Sequence, residues 1–434
     1  MNKKNKKRFG AFALVALTLV STVVLSACGN SAGSKETDKE KTLTVLVESG
    51  SPAEKIANST ADDFKKETGY KVVVDSVPYS GMYDKVSTEV KSKSAAHDVV
   101  CLDVLWLSAF EKSLTPLNKS VDKKITSDFL PTLEDGGTLN DQLLGLPMWI
   151  NSKVLIYRKD LFEDETNKTE FNKKFGHELK VPTTWEEYKE CAEFFTKDDV
   201  YGTAVFGMAS GDTVCSFLDH ASQAGAEPLV LDKDNKVLVD EKPYVEALQY
   251  LCDLYKNGYV PEETLSVAST EAQEMFNNGK LAMQLNWSHQ YPAAYELDKE
   301  NVGVAPMIGG SAGVAATTGP WYQCVMKNSE NQEAAIEYLK FMYDNNEKYM
   351  TEGSLKIAGR TSVYEKYESK PGDEHLGAVL ETLDNKYSQN RPATPYWTEI
   401  EEVLAKAIQS ALSEKATPKD ALKEAKAEIE AIVE

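Results

Sequence analysis

LTVLVESGSPAEKIANSTADDFKKETGYKVVV, residues 43–74, is the stretch that decides how the chain folds. Its first residues alternate and then run apolar, which predicts a strand. Ser51-Pro52-Ala53-Glu54 then supplies a capping serine, a proline at the first helical position and a glutamate three residues on, so a helix starts here. It closes near Thr68-Gly69, and 70–76 returns as a second strand. A further step follows, with a helix over 82–92 and a buried strand in Asp98-Val-Val-Cys-Leu-Asp103. Strands alternating with helices of this length predict a parallel sheet covered on both faces. Ligands of such sheets sit beyond the carboxyl ends of the strands, where Glu48 and Asp103 stand. Trp106, a turn after Asp103, either covers that cleft or packs inward.

With 434 residues the chain exceeds one ordinary core, so two domains are expected. Lys3, Lys4, Lys6, Lys7 and Arg8 precede an apolar run over 9–25, followed by Leu25-Ser26-Ala27-Cys28-Gly29. This reads as a secretory signal, since the run falls short of the ~20 residues of a membrane span. Residues 28–41 are small, polar and charged, a flexible tether. The whole chain carries a net charge of −20, and loss of residues 1–27 removes only positive charge. Such a surface repels nucleic acid and anionic lipid. Beyond Cys28 the cysteines are Cys101, Cys191, Cys215, Cys252 and Cys324, an odd number without metal-ligand spacing, which implies no disulfide framework.

Further along, Pro147 and the strand after it suit a crossover to a second lobe. Thr184 and Glu187 cap a helix over 188–196, 201–208 reads as a strand and 214–224 as a helix. A hairpin is expected over 229–239. Its Asp232-Lys-Asp234-Asn235 tip reads as a turn, because Lys236 takes the next position of a calcium loop. Helices are expected over 244–257, 271–278 and 333–343, the last capped by Ser329, and two more follow the extended stretch 391–397. Trp287 ends the short strand LAMQLN, and Trp321 precedes another over 322–326. An aromatic at the mouth of a strand offers a flat apolar face with a polar edge, which suits a sugar ring. Either one alone reads better as a core or interface residue.

Other chemistries find little support. Of two G-x-S-x-G matches, that at 29–33 lies in the tether and that at 309–313 runs into AATTGPW instead of a helix; a nucleophile elbow needs strand and helix. The five histidines are scattered, which argues against a zinc site or a catalytic triad. There is no phosphate loop or dinucleotide fingerprint, and no metal or cofactor is expected. Glu48 and Asp103 could form the carboxylate pair of a glycosidase.

Taken in order, residues 43–74, HDVVCLDVLWLSAFEKSLTPL (97–117), GLPMWINSKVLIYRKDLF (145–162), VPTTWEEYKECAEFF (181–195), GKLAMQLNW (279–287), VGVAPMIGG (302–310), NQEAAIEYLKFM (331–342) and RPATPYWTEIEEVLAKAIQSAL (391–412) resemble the extracellular solute-binding proteins of ABC importers, of the maltose- and trehalose-binding kind. The resemblance implies an α/β, two-lobe periplasmic-binding-protein-like (type II) fold with an interlobe cleft and hinge crossovers. Lobe 1 would comprise 42–150 plus 305–350, and lobe 2 would comprise 151–304 plus 351–434. Glu48 and Asp103 would accept hydrogen bonds from sugar hydroxyls, Trp287 and Trp321 would stack on rings with the Gly319 backbone beside them, and Arg360 would donate. Trp149, Tyr157 and Tyr396 are further ligand-binding candidates. Two departures alter the loop shapes: Gly319-Pro320 replaces a glycine pair, and Ser288 follows Trp287 where proline is common in the family. Residues 25–29 resemble a lipobox, which would make Cys28 the acylated (palmitate-bearing) first residue of a lipoprotein on the outer face of the cell membrane. The expected function is capture of a carbohydrate, an oligosaccharide, and its delivery to a membrane permease by a monomeric, non-enzymatic protein. Alternatives are a surface glycoside hydrolase, a peptide or polyamine binder, and a sensor subunit.

Overall fold

A computed structural model describes residues 41–94 and 96–434. The signal segment, Cys28 and the tether up to residue 40 lie outside the described residues. The strands are β1 (Thr42–Glu48), β2 (Lys71–Val77), β3 (Val99–Asp103), β4 (Thr138–Leu139), β5 (Gln142–Leu143), β6 (Leu146–Trp149), β7 (Lys153–Arg158), β8 (Met283–Trp287), β9 (Val302–Ala305), β10 (Thr317–Thr318), β11 (Trp321–Val325) and β12 (Gln389–Asn390).

The first helix, Pro52–Thr68, starts where the capping signal predicts. Ser51 Oγ accepts from the Glu54 amide (3.3 Å), while the Glu54 carboxylate reaches back one residue further than in a simple capping box, to Gly50 N (2.6 Å). Gly69, at φ 78°, ends the helix in the left-handed conformation that glycine adopts without steric cost. β1 pairs in parallel with β2 and β3, as expected.

The next pairing corrects the expectation of a wholly parallel sheet. β11 enters antiparallel to β3 on one side and to β6 on the other, giving the order β2-β1-β3-β11-β6. The inversion has a geometric consequence. β1, β3 and β6 finish at Glu48, Asp103 and Trp149, and β11 begins at Trp321. All four residues therefore gather at one end of the sheet.

A second sheet has the order β8-β7-β9, with β7 antiparallel to both neighbours. β8 ends at Trp287, directly opposite Lys153 at the start of β7. Only residues 150–152 separate β6 from β7, so this end of the second sheet is drawn towards the first. Two further segments make the same passage: the stretch with β10, which pairs with β12, and residues near 357–361, where Ile150 N donates to Ala358 O (3.1 Å) and Thr361 N to Asp128 O (2.9 Å).

Two local expectations change. Residues 201–208 form no strand; Tyr201 makes a single bridge to Leu281. A Cβ on Gly202 or Gly207 would stand 2.1 Å from Ala192 O or 2.7 Å from Thr264 O, so this segment lies pressed against other backbone and not beside a partner strand. The helix Gln332–Asp344 has Asn331 at the cap position, two residues after the expected cap Ser329, whose Oγ accepts instead from Asn331 N (2.9 Å). The 229–239 hairpin is held by one bridge, Leu231 to Val237. Asp232 Oδ1 accepts from the amides of Asp234 and Lys236 (2.9 Å each), which makes the tip an Asx turn. Among the described residues no helix is long and apolar enough to cross a membrane.

Candidate functional site

A cavity of about 450 Å³ lies where the strand ends of both sheets meet. Six of the nine candidate ligand-binding residues line it: Glu48, Asp103, Trp149, Trp287, Gly319 and Trp321. Tyr79, Asn151, Asp212, His289, Arg391 and Glu401 also line it, and the sequence reading does not single these out.

Trp321 sits between Asp103 and Trp149 in strand register. Its ring stacks on Trp149 at 5.7 Å with 27° between planes, and meets the edge of Trp106 at 5.7 Å. Trp106 thus packs inward behind the wall and does not line the cavity. Tyr79, 43% exposed, lies at 5.0 Å from Trp106 and 5.9 Å from Trp321, forming an aromatic rim.

Asp103 is heavily engaged. Its Oδ1 accepts from Arg391 Nη2 (2.7 Å) and Leu105 N (3.3 Å), and its Oδ2 from Tyr79 Oη (3.3 Å). Arg391 and Asp103 are both buried. Burial works against the Arg391 charge, yet the Asp103 carboxylate beside it holds its pKa above the ordinary value. A Cβ at Gly319 would stand 2.8 Å from Arg391 Nη2, so glycine is what lets the guanidinium reach Asp103. The Gly319 amide already donates to Asn151 O (2.8 Å), so among the described residues only its carbonyl is left for a ligand.

Among the described residues the Glu48 carboxyl has no hydrogen-bond or ion-pair partner. Burial, and then the like charge of Asp103, raise its pKa to about 7. Burial also raises Glu401, which accepts from Trp397 Nε1 (3.1 Å). His289 is lowered to about 4 by burial, and as a neutral ring its Nδ1 accepts from Asn151 Nδ2 (2.8 Å).

On the opposite wall Trp287 Nε1 donates to Asp212 Oδ1 (2.8 Å), whose second oxygen accepts from Ser269 Oγ (2.6 Å). Ser288, the departure from Trp-Pro, has a structural use. Its amide donates to Ser152 O (2.9 Å) and its hydroxyl to Asn151 Oδ1 (3.1 Å). A proline could not make the first of these bonds, so the serine ties Trp287 to the crossover.

Three candidates lie outside the cavity. Arg360 is spent elsewhere: Nε donates to Asp128 Oδ2 (2.7 Å), Nη1 to Tyr343 O (3.3 Å), and the guanidinium lies 4.8 Å over the Tyr343 ring. Tyr157 pairs with Met283, four residues down β8 from Trp287, and packs on Phe162 at 5.3 Å. At about 3.4 Å per residue that is well clear of the site. Tyr396 caps the helix Trp397–Leu412 without entering the cavity. Of the residues that sequence reading missed, Arg391 stood in the RPATPYW stretch, where its proline neighbours signalled only extended chain. Asp212 stood in Ser210-Gly-Asp, two residues before the expected helix.

Residues 45–348 match the family of bacterial extracellular solute-binding proteins, and the chain belongs to that family. Among similar proteins is a probable ABC transporter-binding protein of Deinococcus radiodurans, 24% identical over 88% of this chain and 91% of that protein. Another is the maltooligosaccharide ABC transporter solute-binding lipoprotein of Streptococcus pneumoniae, 23% identical over 94% of this chain and 95% of that one. The maltose-bound T. maritima MalE3 structure superposes with a TM-score of 0.73 at 26% identity, covering 90% of this chain and 99% of that one. The cyclic alpha-maltosyl-1,6-maltose binding protein from Arthrobacter globiformis has a TM-score of 0.74 at 21% identity, covering 90% and 98%. The fold is accordingly the two-lobe, maltose-binding-protein-like α/β fold.

Proposed function

We propose that this protein is the carbohydrate-binding lipoprotein of an ABC importer, capturing an oligosaccharide in the cavity and handing it to a membrane permease. One observation carries this reading: three tryptophans from two sheets converge on a single cavity whose polar lining includes carboxylates, one arginine, one histidine and amide or hydroxyl edges. Stacking faces beside strong hydrogen-bonding groups are what a sugar ring requires. Glu48 would accept from a hydroxyl, or donate to one when protonated. Asp103 and Arg391, fixed against each other, would offer their remaining lone pairs and N–H groups. Trp149, Trp287 and Trp321 would stack, with Gly319 and Tyr79 beside them. The relatives named for maltooligosaccharide transport and maltose binding support the same ligand class.

The proposed lobes are 42–150 plus 305–350, and 151–304 plus 351–434, with residues near 357–361 as a crossover. The strands of the two large sheets divide in the same way, apart from Ala305 at the boundary. A ligand touching both walls favours the closed arrangement, so binding shifts the population by hinge closure. Acylation at Cys28 would hold a monomer on the outer membrane face beside its permease.

The test is a thermal-shift and tryptophan-fluorescence screen of the mature chain with malto-, xylo-, chito- and fructo-oligosaccharides, with peptides and polyamines as controls. A ligand at a hundred times its Kd adds about 2.7 kcal/mol of stability. Stabilisation by one sugar class, lost in Trp287→Ala, supports the reading; a response to controls alone sinks it. The glycosidase alternative has one observation in its favour, the raised pKa of Glu48 beside Asp103. Against it, Asp103 is already bound to Arg391, Tyr79 and Leu105 N. Release of reducing sugar from any member of the panel would revive it.

A further inference from the structure

Lys153 and Asp219 form an ion pair at 2.8 Å in which both side chains are 0% exposed. Isolated buried charges are costly and persist only with close partners, and this pair has unusual ones. Lys153 Nζ lies 4.0 Å from the centroid of the Trp287 ring, a cation–π distance. Asp219 Oδ1 accepts from both the amide and the hydroxyl of Thr317 (2.7 Å each), in β10. Lys153 does not line the cavity, so the face of the indole that it covers is closed to a ligand. The helix Gly211–Gln223 carries Asp219 and also Asp212, the acceptor of the indole N–H. Seven residues apart, the two carboxylates share one helix face.

We infer that Lys153 is the positioning residue of Trp287. Its ammonium, held by Asp219, sets the plane of the indole from behind while Asp212 sets its edge. Because Asp219 also holds Thr317, the pose of the ring is joined to the crossover that leads into Gly319 and Trp321. A ring contact on one wall is thereby transmitted to the connection between the walls. This assignment rests on the proposed role of Trp287 in binding.

The test compares the full mature chain with Lys153→Met and with Lys153→Met/Asp219→Asn. The double variant removes both charges at nearly constant volume and keeps an acceptor for Thr317 N, so it should fold where the single variant fails. The first readout needs no ligand: the near-ultraviolet circular dichroism band of Trp287, taken as the difference from Trp287→Phe in each background. A fixed ring gives a band and a loose one does not. The expected result is a band reduced by at least half, with the far-ultraviolet spectrum and cooperative melting retained; an unchanged band overturns the inference. The second readout is affinity for maltotriose, expected to fall at least tenfold. A lost band with unchanged affinity overturns the positioning role in binding. If the wild-type chain does not bind maltotriose, that result counts against the proposed ligand, and the band alone decides on Lys153.

Discussion

The two walls of the cavity hold their tryptophans by different physics. Trp321 is fixed by neighbours of its own kind, stacked on Trp149, edged by Trp106 and rimmed by Tyr79. Trp287 is fixed by polar partners, with a carboxylate on its N–H and an ammonium against its face. Both rings are 7% exposed, so exposure does not separate them. The first arrangement depends on shape and area, and tolerates changes of charge. The second depends on complete partner sets, and fails when one member is removed.

The largest expected effect is at the polar wall. Asp219→Ala leaves Lys153 buried without its counter-charge and deprives Thr317 of its acceptor, and should cost about 5 kcal/mol. Chemical denaturation reads this; a loss below about 1 kcal/mol would mean that water or another group replaces the carboxylate. At the aromatic wall, Trp321→Ala should cost about 3–4 kcal/mol through the cavity left beside Trp149, whereas Trp321→Phe should restore most of it. A Phe replacement as damaging as Ala would show that the indole N–H, not ring area, matters there.

Asp212→Ala should cost about 1.5–3 kcal/mol and alter the Trp287 fluorescence while leaving that of Trp321 in place. Equal perturbation of both tryptophans would erase the distinction between the walls. The smallest effect is a pH dependence. Glu48 has its folded pKa raised from 4.5 to about 7. Its contribution to stability is therefore present below about 4.5 and is lost as pH rises through about 7. With the carboxyl partly solvated, the loss between pH 5 and 8 should be on the order of 1 kcal/mol. Melting measured across that window, with Glu48→Gln flattening this part of the curve, checks the sign; a rise in stability that Glu48→Gln removes would contradict the assigned burial.

Much of the fold was legible because it is written locally. The alternation over 43–47, the cap at Ser51 and Gly69 at the helix end need only neighbours within a turn or two. The positions of Glu48 and Asp103 at strand ends followed from those boundaries. Trp287 and Trp321 were legible as aromatics at strand mouths. Two of the three candidates outside the cavity share a cause: Arg360 and Tyr157 meet partners distant in sequence, Asp128 at 232 residues from Arg360 and Met283 and Gly303 across the sheet from Tyr157, and local pattern cannot show that such a side chain is already spent.

Sequence alone therefore determined the element order, the class of fold and six of the residues that line the cavity, because periodicity, capping and turn chemistry act over a few residues. Tertiary structure decided the antiparallel entry of β11 between β3 and β6, the pairing of Asp103 with Arg391 across 288 residues, and the burial of Lys153 and Asp219 behind Trp287. Those choices depend on which distant surfaces close on one another, and on the requirement that every charge taken out of water meet a partner there.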